Sequence, residues 1–580
     1  MNFSFLRRVC CIAAVGVTLL FSASCVKVNE QLGENLIPTD QKWDVFPQEA
    51  EPLTDIRLQM ADSLSGYSST RFTFGSVKDD LMGTTIKSTS FTLVPLQDSL
   101  DFGKNTKITG FHFTAARDTL STVYDNQQRV IQNIYVYELK EALDSTVLYS
   151  GAFDQDRFVD MSSIITDGVP VYDGGDSLSF EFSKEFAESI MARLQKADMD
   201  SLALFVNEIP GIYITTDTPA GNGGRINMFE LGLDYDQNYG YITGNYAELK
   251  FKADYNDRVG VDTSFVFFFG PGDFIHKLGS TDEITQFAFN ASAHLYEAND
   301  LLNLEDLKNG GIKAKDKIYI EGGSGVKPVI KAAEIREIIE RQMMEVGISD
   351  ITEAVINKAT IILPYNVNGE YELLDKFPTI LSPTVKLRSN EGDYVTYAGL
   401  TDASIASENQ GNINRSLNMF SPDISHHVQE IMKIKKDADY EKNITKYDIW
   451  FLVMHEEIIE TESSSSSMND YYQNLMYSSY YNNMMYDPYG YGYGYGYGGY
   501  GGYGGYGSYG GYGYNNYYNY MMMAALAGSY NQTSEQSSVE LDKDRYYRCA
   551  LNGPEYDGTL EDLPRLKITF SAPKSAERRQ

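Results

Sequence analysis

The chain has 580 residues, of which 42% are hydrophobic and 22% charged, a composition that supports a packed core and excludes a wholly disordered protein. Its 80 acidic side chains outnumber the 48 basic ones, so a nucleic-acid backbone would be repelled and we expect no nucleic-acid partner. The four cysteines, three of them within the first 25 residues, exclude a disulfide framework and a cysteine–histidine zinc site.

The N-terminus has the anatomy of an export signal. Arg7-Arg8 precedes an apolar run, 9–21, that is too short to span a membrane. Ser22-Ala23-Ser24-Cys25 follows, and small residues before a cysteine are typical of the lipobox that a lipoprotein signal peptidase cleaves. We therefore predict a signal peptide over 1–24 and a lipidated Cys25 whose acyl chains anchor the protein in outer-membrane lipid. An ordinary signal peptide that only exports the chain is the alternative.

A polar stretch over 25–50 suits a tether, and short runs of alternating polar and apolar residues follow it. Alternation with period two, with Gly, Asp and Asn between the runs, is typical of antiparallel strands with one buried face. The pattern predicts a mainly β fold of sandwich or jelly-roll type. The runs lie at 70–74, 108–115, 133–139, 177–182, 202–206, 229–235, 249–253, 262–269, 284–296, 317–321, 359–363, 384–388, 449–455 and 565–571.

Two helices are predicted among these strands. The first covers 183–197, where Ser183 is the N-cap and apolar residues recur at helical spacing on one face. The second covers 330–346, and Gly347 is its natural stop.

The strand pattern indicates two domains, with a boundary near Asp257. We expect two antiparallel β-sandwich or jelly-roll-like domains, an N-terminal one over 51–256 and a C-terminal one over 257–580. A long disordered Tyr/Gly-rich insertion, part of a low-complexity segment rich in Ser, Tyr, Gly and Met over 460–538, interrupts the second domain.

The insertion has the most unusual composition in the chain, with 20 Tyr and 14 Gly between Tyr471 and Tyr520. Gly at this frequency makes independent folding costly in entropy, whereas each Tyr ring offers an amphipathic face with a hydrogen-bonding tip. We interpret the tract as a loop, held at both ends, that contacts a partner; a low-complexity loop without a specific role is the alternative. The tyrosines singled out for contact are Tyr491, Tyr493, Tyr495, Tyr497, Tyr500, Tyr503 and Tyr506.

A series of short motifs resembles a known family. The motifs are, in order, LGENLIP at 32–38, DLMGTT at 80–85, GIYIT at 211–215, YIEGGSG at 319–325, INKA at 356–359 and RLKITF at 565–570. In this order they resemble the Bacteroidetes lipoproteins grouped as domain of unknown function 4270 (DUF4270), over nearly the whole mature chain except the Tyr/Gly tract. The resemblance implies an exported, β-rich outer-membrane lipoprotein, and it brings no established catalytic residues.

Candidate sites for chemistry have simpler structural interpretations. Gly322-Gly323-Ser324-Gly325-Val326-Lys327 departs from the spacing of a phosphate loop, and we interpret it as a strand-to-helix turn. Asp234, Asp236 and Asn238 alternate as the ligands of calcium loops do, but a hairpin turn explains them equally well and calcium binding stays open. The His426-His427 pair lacks a metal-binding motif.

Asp followed by Ser or Thr recurs in the first half of the chain and resembles the O-glycan acceptor pattern of exported proteins in the same phylum. Asp-Ser turns in a β protein explain the recurrence equally well. The candidate acceptors are Ser63, Ser99, Thr119, Ser145, Ser177 and Ser201.

These observations favour an outer-membrane lipoprotein on the cell surface, with the periplasmic leaflet as the alternative. We expect a non-enzymatic binding or scaffold role, as an accessory subunit that contacts an outer-membrane protein complex. We expect neither a cofactor nor a metal, and no catalytic residue. A glycan-binding or adhesin-like surface lipoprotein is the alternative function.

Overall fold

The computed structural model describes residues 42–574 except 69–70, 97–98, 119–129, 144–149, 199–201, 232, 237–240, 270–287, 389–394, 401, 403–408, 462–533 and 543–544. The predicted signal peptide, Cys25 and the seven tyrosines singled out above lie outside these residues. Strands dominate the described part of the chain and form antiparallel sheets, which confirms the predicted mainly β fold with a few short helices. Across these described segments, no helix has the length and apolar character needed to cross a membrane.

The strands are, in chain order, β1 (Trp43–Pro47), β2 (Glu51–Pro52), β3 (Ile56–Met60), β4 (Tyr67–Ser68), β5 (Arg71–Asp79), β6 (Gly83–Phe91), β7 (Val94–Pro95), β8 (Lys104–Ala116), β9 (Gln132–Leu139), β10 (Val159–Asp160), β11 (Val171–Tyr172), β12 (Ser177–Glu181), β13 (Ile212–Thr216), β14 (Gly223–Glu230), β15 (Leu233–Asp236), β16 (Tyr241–Gly244), β17 (Tyr246–Tyr255), β18 (Arg258–Phe268), β19 (Ala288–His294), β20 (Ile312–Lys313), β21 (Lys317–Glu321), β22 (Val326–Ile330), β23 (Val355–Pro364), β24 (Ile380–Arg388), β25 (Val395–Gly399), β26 (Ile413–Asn414), β27 (Met419–Phe420), β28 (Ile449–Thr461), β29 (Ser534–Leu541), β30 (Arg548–Asn552) and β31 (Arg565–Pro573).

The α-helices are α1 (Gln155–Phe158), α2 (Lys184–Leu194), α3 (Leu202–Glu208), α4 (Leu304–Lys308), α5 (Ala332–Glu345), α6 (Ser425–Lys433) and α7 (Tyr440–Ile444). Short 3-10 turns lie at Ser150–Ala152, Ile351–Glu353, Tyr371–Lys376, Thr445–Tyr447 and Leu560–Asp562.

Two sheets form what we call the first sandwich. One sheet has the order β10-β9-β13-β6-β19-β4, with β11 beside β9 and the pair β5-β14 joined to β6. The other has the order β12-β8-β17-β18-β7. Their facing sides bury phenylalanines: Phe91 and Phe113 have ring centroids 6.1 Å apart, and Phe269 lies 4.7 Å and 5.0 Å from them. The alternating runs predicted this burial, because every second side chain of a strand points to one face.

Two further sheets form the second sandwich. One has the order β20-β3-β22-β28-β24-β25, with β29 beside β28, and the other has the order β1-β31-β23-β27-β26, with β2 beside β31. Both contribute to one apolar core, which also takes in the buried faces of α5 and α6 and the small sheet β21-β30. The sandwich-like architecture predicted from the alternation is therefore present in both halves.

Strand pairing crosses the boundary that we predicted near Asp257. β18 and β19 follow this residue, yet they pair with β17 and β6 of the first sandwich. β1 and β3 precede the first sandwich, yet they pair with β31 and β22 of the second. The chain therefore starts the second sandwich, builds the first one, and returns after His294 to complete the second.

The two predicted helices are confirmed. Ser183 caps α2, and its Oγ accepts a hydrogen bond from the backbone N–H of Phe186 at 3.2 Å. α5 begins at Ala332, whose N–H donates to the Asp448 carboxylate at 3.0 Å, and the helix is followed by Gly347 with φ 78°.

The strand predicted over 202–206 is wrong, because these residues begin α3. The short apolar run has no clear period, and Phe205 and Ile209, four positions apart, are both buried in the first sandwich. The run predicted over 229–235 is divided between β14 and β15. The other predicted runs overlap strands, and 317–321 coincides with β21.

Candidate functional site

A two-stranded ribbon flanks the Tyr/Gly tract. β28 and β29 pair from Met454↔Leu541 to Thr461↔Ser534. Along the chain, the tract falls between Thr461 and Ser534. Within the described residues, β28 pairs with the rest of its sheet only as far as Met454. The residues 455–461 therefore extend from the sandwich as a ribbon roughly 23 Å long, at about 3.3 Å per residue. The strand residues on either side of the tract are therefore paired to each other at the edge of this sheet.

The base of the ribbon is joined to the neighbouring strand β30. His455 Nδ1 lies 2.8 Å from the hydroxyl of Tyr547, and the Tyr547 carbonyl accepts from the N–H of Gly322 at 2.8 Å. Tyr547 is buried and precedes Arg548, the first residue of β30. The ribbon is thus connected to the charged side chains described next.

A buried charge network joins the two sandwiches at Arg548. Its guanidinium donates to the Glu321 carboxylate at 2.9 Å and 3.1 Å within the β21-β30 pair. It also donates to the Thr85 hydroxyl and the Gly83 carbonyl of the first sandwich, each at 2.6 Å, and lies 2.9 Å from the Asp79 carboxylate. The Arg548 side chain is fully buried and that of Glu321 is 1% exposed. One side chain therefore contacts both sandwiches.

The carboxylate of Glu321 is held by several donors. The Tyr296 hydroxyl donates to it at 2.6 Å, the Thr85 hydroxyl at 2.5 Å, and His294 Nδ1 lies 2.9 Å away. Burial alone would raise the pKa of Glu321, but the interactions with His294 and Arg548 keep it well below its usual range. Burial disfavours the positive charge on Arg548, whereas the Glu321 carboxylate favours it. The net effect is that the pKa of Arg548 is raised. The buried carboxylate and guanidinium are therefore compensated by each other and by the neighbouring hydroxyls.

The glycine-rich segment 322–325 is a turn between two strands, β21 and β22, and α5 starts only at Ala332, so the strand-to-helix interpretation is wrong. The buried Lys327 ammonium donates to the carbonyls of Glu321, Gly323 and Gly325 within this turn. A Cβ on Gly325 would lie 2.6 Å from the Glu321 carboxylate, so the turn excludes a side chain there. The turn therefore binds its own lysine, and its geometry does not favour a phosphate site.

The other predicted sites are scattered over the structure. Asp234 and Asp236 lie on β15, which pairs with β16 as a hairpin, while Asn238 lies outside the described residues. In the described part of the chain, no group of three or more His, Cys, Asp or Glu side chains is arranged to hold a metal ion. Ser99 and Ser177 are exposed and Ser63 is half-buried; Thr119, Ser145 and Ser201 lie outside the described residues.

His427 titration is expected to destabilise the fold in acid. Its Nε2 donates to the Tyr447 carbonyl at 2.9 Å, and burial lowers the pKa of this histidine from 6.5 to about 4. The folded state thus holds the neutral ring, and above pH 6.5 the neutral histidine makes its full contribution to the free energy of unfolding. As the pH falls from 6.5 to about 4, we expect protonation of His427 to lower the free energy of unfolding by up to ~3 kcal/mol. Urea denaturation at each pH measures this loss.

Two variants isolate this effect. His427→Gln retains an N–H donor but does not titrate, so its curve should lack the loss between pH 6.5 and 4. His426→Gln changes the exposed neighbour on the same helix and should keep the loss. Equal pH dependence in wild type and His427→Gln would contradict the assignment.

Comparison of the chain with protein-family models, curated proteins and solved structures found no match.

Proposed function

We propose that this protein is a surface-exposed outer-membrane lipoprotein, anchored through an acylated Cys25, that has a binding or scaffold role as an accessory subunit of an outer-membrane protein complex. In this proposal the Tyr/Gly tract makes the contact with the partner. The lipobox, the excess of 80 acidic over 48 basic side chains, which disfavours nucleic-acid binding, and the resemblance to the DUF4270 lipoproteins all favour it.

The ribbon β28-β29 is the observation that carries the proposal. The strand residues that flank the tract are paired to each other at Thr461↔Ser534, and the ribbon base is joined through Tyr547 to the network at Arg548. Paired flanking strands fix the two points between which the tract is attached, which lowers the ordering entropy that binding through the tract must overcome. Tyr is also among the residues that contribute most to binding at protein interfaces.

Co-purification from detergent-solubilised membranes tests the proposal. We expect the wild-type lipoprotein to retain an outer-membrane barrel protein through affinity purification. In one variant, seven tyrosines of the tract are replaced by Ser: Tyr491, Tyr493, Tyr495, Tyr497, Tyr500, Tyr503 and Tyr506. This variant should recover at least about tenfold less of the partner, because the aromatic contact area is removed while the ribbon and the loop length are kept.

Two controls define the outcome. Cys25→Ala cannot be acylated and should leave the membrane fraction, which separates anchoring from partner binding. Undiminished partner recovery by the seven-fold Tyr→Ser variant would refute the role of the tract. Recovery of the lipoprotein without any partner, together with binding on a glycan array, would favour the glycan-binding alternative.

A further inference from the structure

A serine, a histidine and a glutamate form a hydrogen-bonded chain on the outer face of the first sandwich. Ser179 Oγ lies 3.3 Å from His112 Nε2, and His112 Nδ1 lies 2.8 Å from the Glu181 carboxylate. Because a carboxylate can only accept, Nδ1 carries the proton and Nε2 is left to accept from the serine hydroxyl. This is the order of nucleophile, base and orienting acid that serine hydrolases use on unrelated folds.

The pairing register explains how the three residues meet. Glu181 of β12 is directly opposite His112 of β8, and Ser179 is two positions along β12 on the same face. Directly opposite side chains in an antiparallel pair have Cβ atoms about 5 Å apart, and diagonal neighbours remain within reach of a long side chain. β12 alternates strictly between exposed and buried positions, so Ser179 and Glu181 both face outward.

All three residues reach the surface, and two of them, His112 and Glu181, line a cleft that Ser179 itself does not line. The His112 side chain is 31% exposed and that of Glu181 is 54% exposed. A cleft of about 410 Å³ is lined by both, by Lys184 and Lys250, and by apolar groups such as Phe111. This volume is within the range of small-molecule sites. The lining also includes Asp167, and the two lysines pair with Glu188 and Glu248.

A β-bulge helps to shape the cleft. Lys250 pairs with Gly110 and Phe251 with Ile108, so Thr109 is an extra residue in β8. A Cβ built on Gly110 would lie 3.8 Å from the Glu181 carboxylate. Bulges bend a strand and are common next to active sites.

We propose that Ser179, His112 and Glu181 are a catalytic triad that hydrolyses short-chain acyl esters. This activity goes beyond the binding role proposed above and does not depend on it; it departs from the expectation of a non-enzymatic protein. Ser179 Oγ attacks the acyl carbon while His112 takes the hydroxyl proton and passes it to the leaving alcohol. A water molecule, deprotonated by His112, then attacks the acyl-serine, releasing the carboxylic acid and restoring the Ser179 hydroxyl. Glu181 keeps the histidine in the required tautomer.

Labelling with an alkyl fluorophosphonate tests the proposal on the full-length lipoprotein in detergent. We expect one covalent adduct, which peptide mass spectrometry places on Ser179. Ser179→Ala should abolish that adduct. His112→Gln should slow labelling at least ~100-fold, because the hydroxyl is then no longer deprotonated during attack. Hydrolysis of p-nitrophenyl acetate should fall in parallel in both variants.

The matched control is Ser177→Ala. Ser177 is exposed on the same face of the same strand, opposite Ala116, and has no histidine partner there. This variant should label at the wild-type rate. Thermal unfolding midpoints of all three variants should match the wild type, since the replaced side chains are on the surface. Absence of an adduct on the folded wild-type protein, or labelling of Ser179 at an unchanged rate in His112→Gln, would overturn the triad.

Discussion

Replacing Arg548 with alanine should lower the free energy of unfolding by about 3–5 kcal/mol, because it leaves the buried Glu321 carboxylate without its main cationic partner. The same change removes the hydrogen bonds to Gly83 and Thr85 that connect the second sandwich to the first. Urea denaturation followed by circular dichroism measures the loss, and two separate transitions in place of one would show that the sandwiches have become uncoupled.

Two comparisons make this prediction specific. Arg157→Ala removes an arginine of similar geometry, 2.8 Å from Glu141, but both side chains are about half exposed, so the cost should stay below about 1 kcal/mol. The double variant Glu321→Gln/Arg548→Met removes both charges and should lose less than Arg548→Ala alone, since no unpaired carboxylate remains. Equal effects of Arg548→Ala and Arg157→Ala would contradict the importance of burial.

Truncating Phe113 to alanine should destabilise the chain by about 3–5 kcal/mol, because a fully buried ring at the centre of the first sandwich is lost. Its ring centroid lies 4.6 Å from that of Phe180 and 5.0 Å from that of Phe269, so neighbouring rings cannot close the cavity without leaving their own contacts. The shift in urea midpoint at constant slope measures the effect.

An exposed aromatic residue is the control for this truncation. Tyr371 is 69% exposed, and Tyr371→Ala should change stability by no more than about 0.5 kcal/mol. A loss below about 1 kcal/mol in Phe113→Ala would mean that the ring is not enclosed as described.

The sequence predicted those parts of the fold that depend on local pattern. Strand β21 and helix α2 were located because alternation and a capped amphipathic face are visible within one short window. The run 202–206 failed because five apolar-rich residues fit either period. Which strands pair could not be predicted: nothing in the sequence near β1 or β3 indicates that they belong with β31 and β22.

The sites were harder to predict for the same reason. Arg548 and Glu321 are separated by 227 positions, and each is an ordinary charged residue in its own segment. Ser179 and Glu181 are 67 and 69 positions from His112, so only the β12-β8 register brings them together. The glycine-rich turn was visible as a motif, but its lysine contacts the turn itself instead of an anion.

The interleaving of the two sandwiches imposes an order of folding. Synthesis proceeds from the N-terminus, so β1 emerges first, yet its partner β31 emerges last, with Trp43 opposite Pro573. The first sandwich can close once β19 is available, and β3 can pair once β20 and β22 have followed, whereas β1 has no partner strand until β31 is available. The entropy of closing such a long loop grows only slowly with length, so we expect the distant pairing to slow folding more than it lowers the final stability. Of the strands described, β1 is therefore the one whose pairing depends on almost the whole length of the chain.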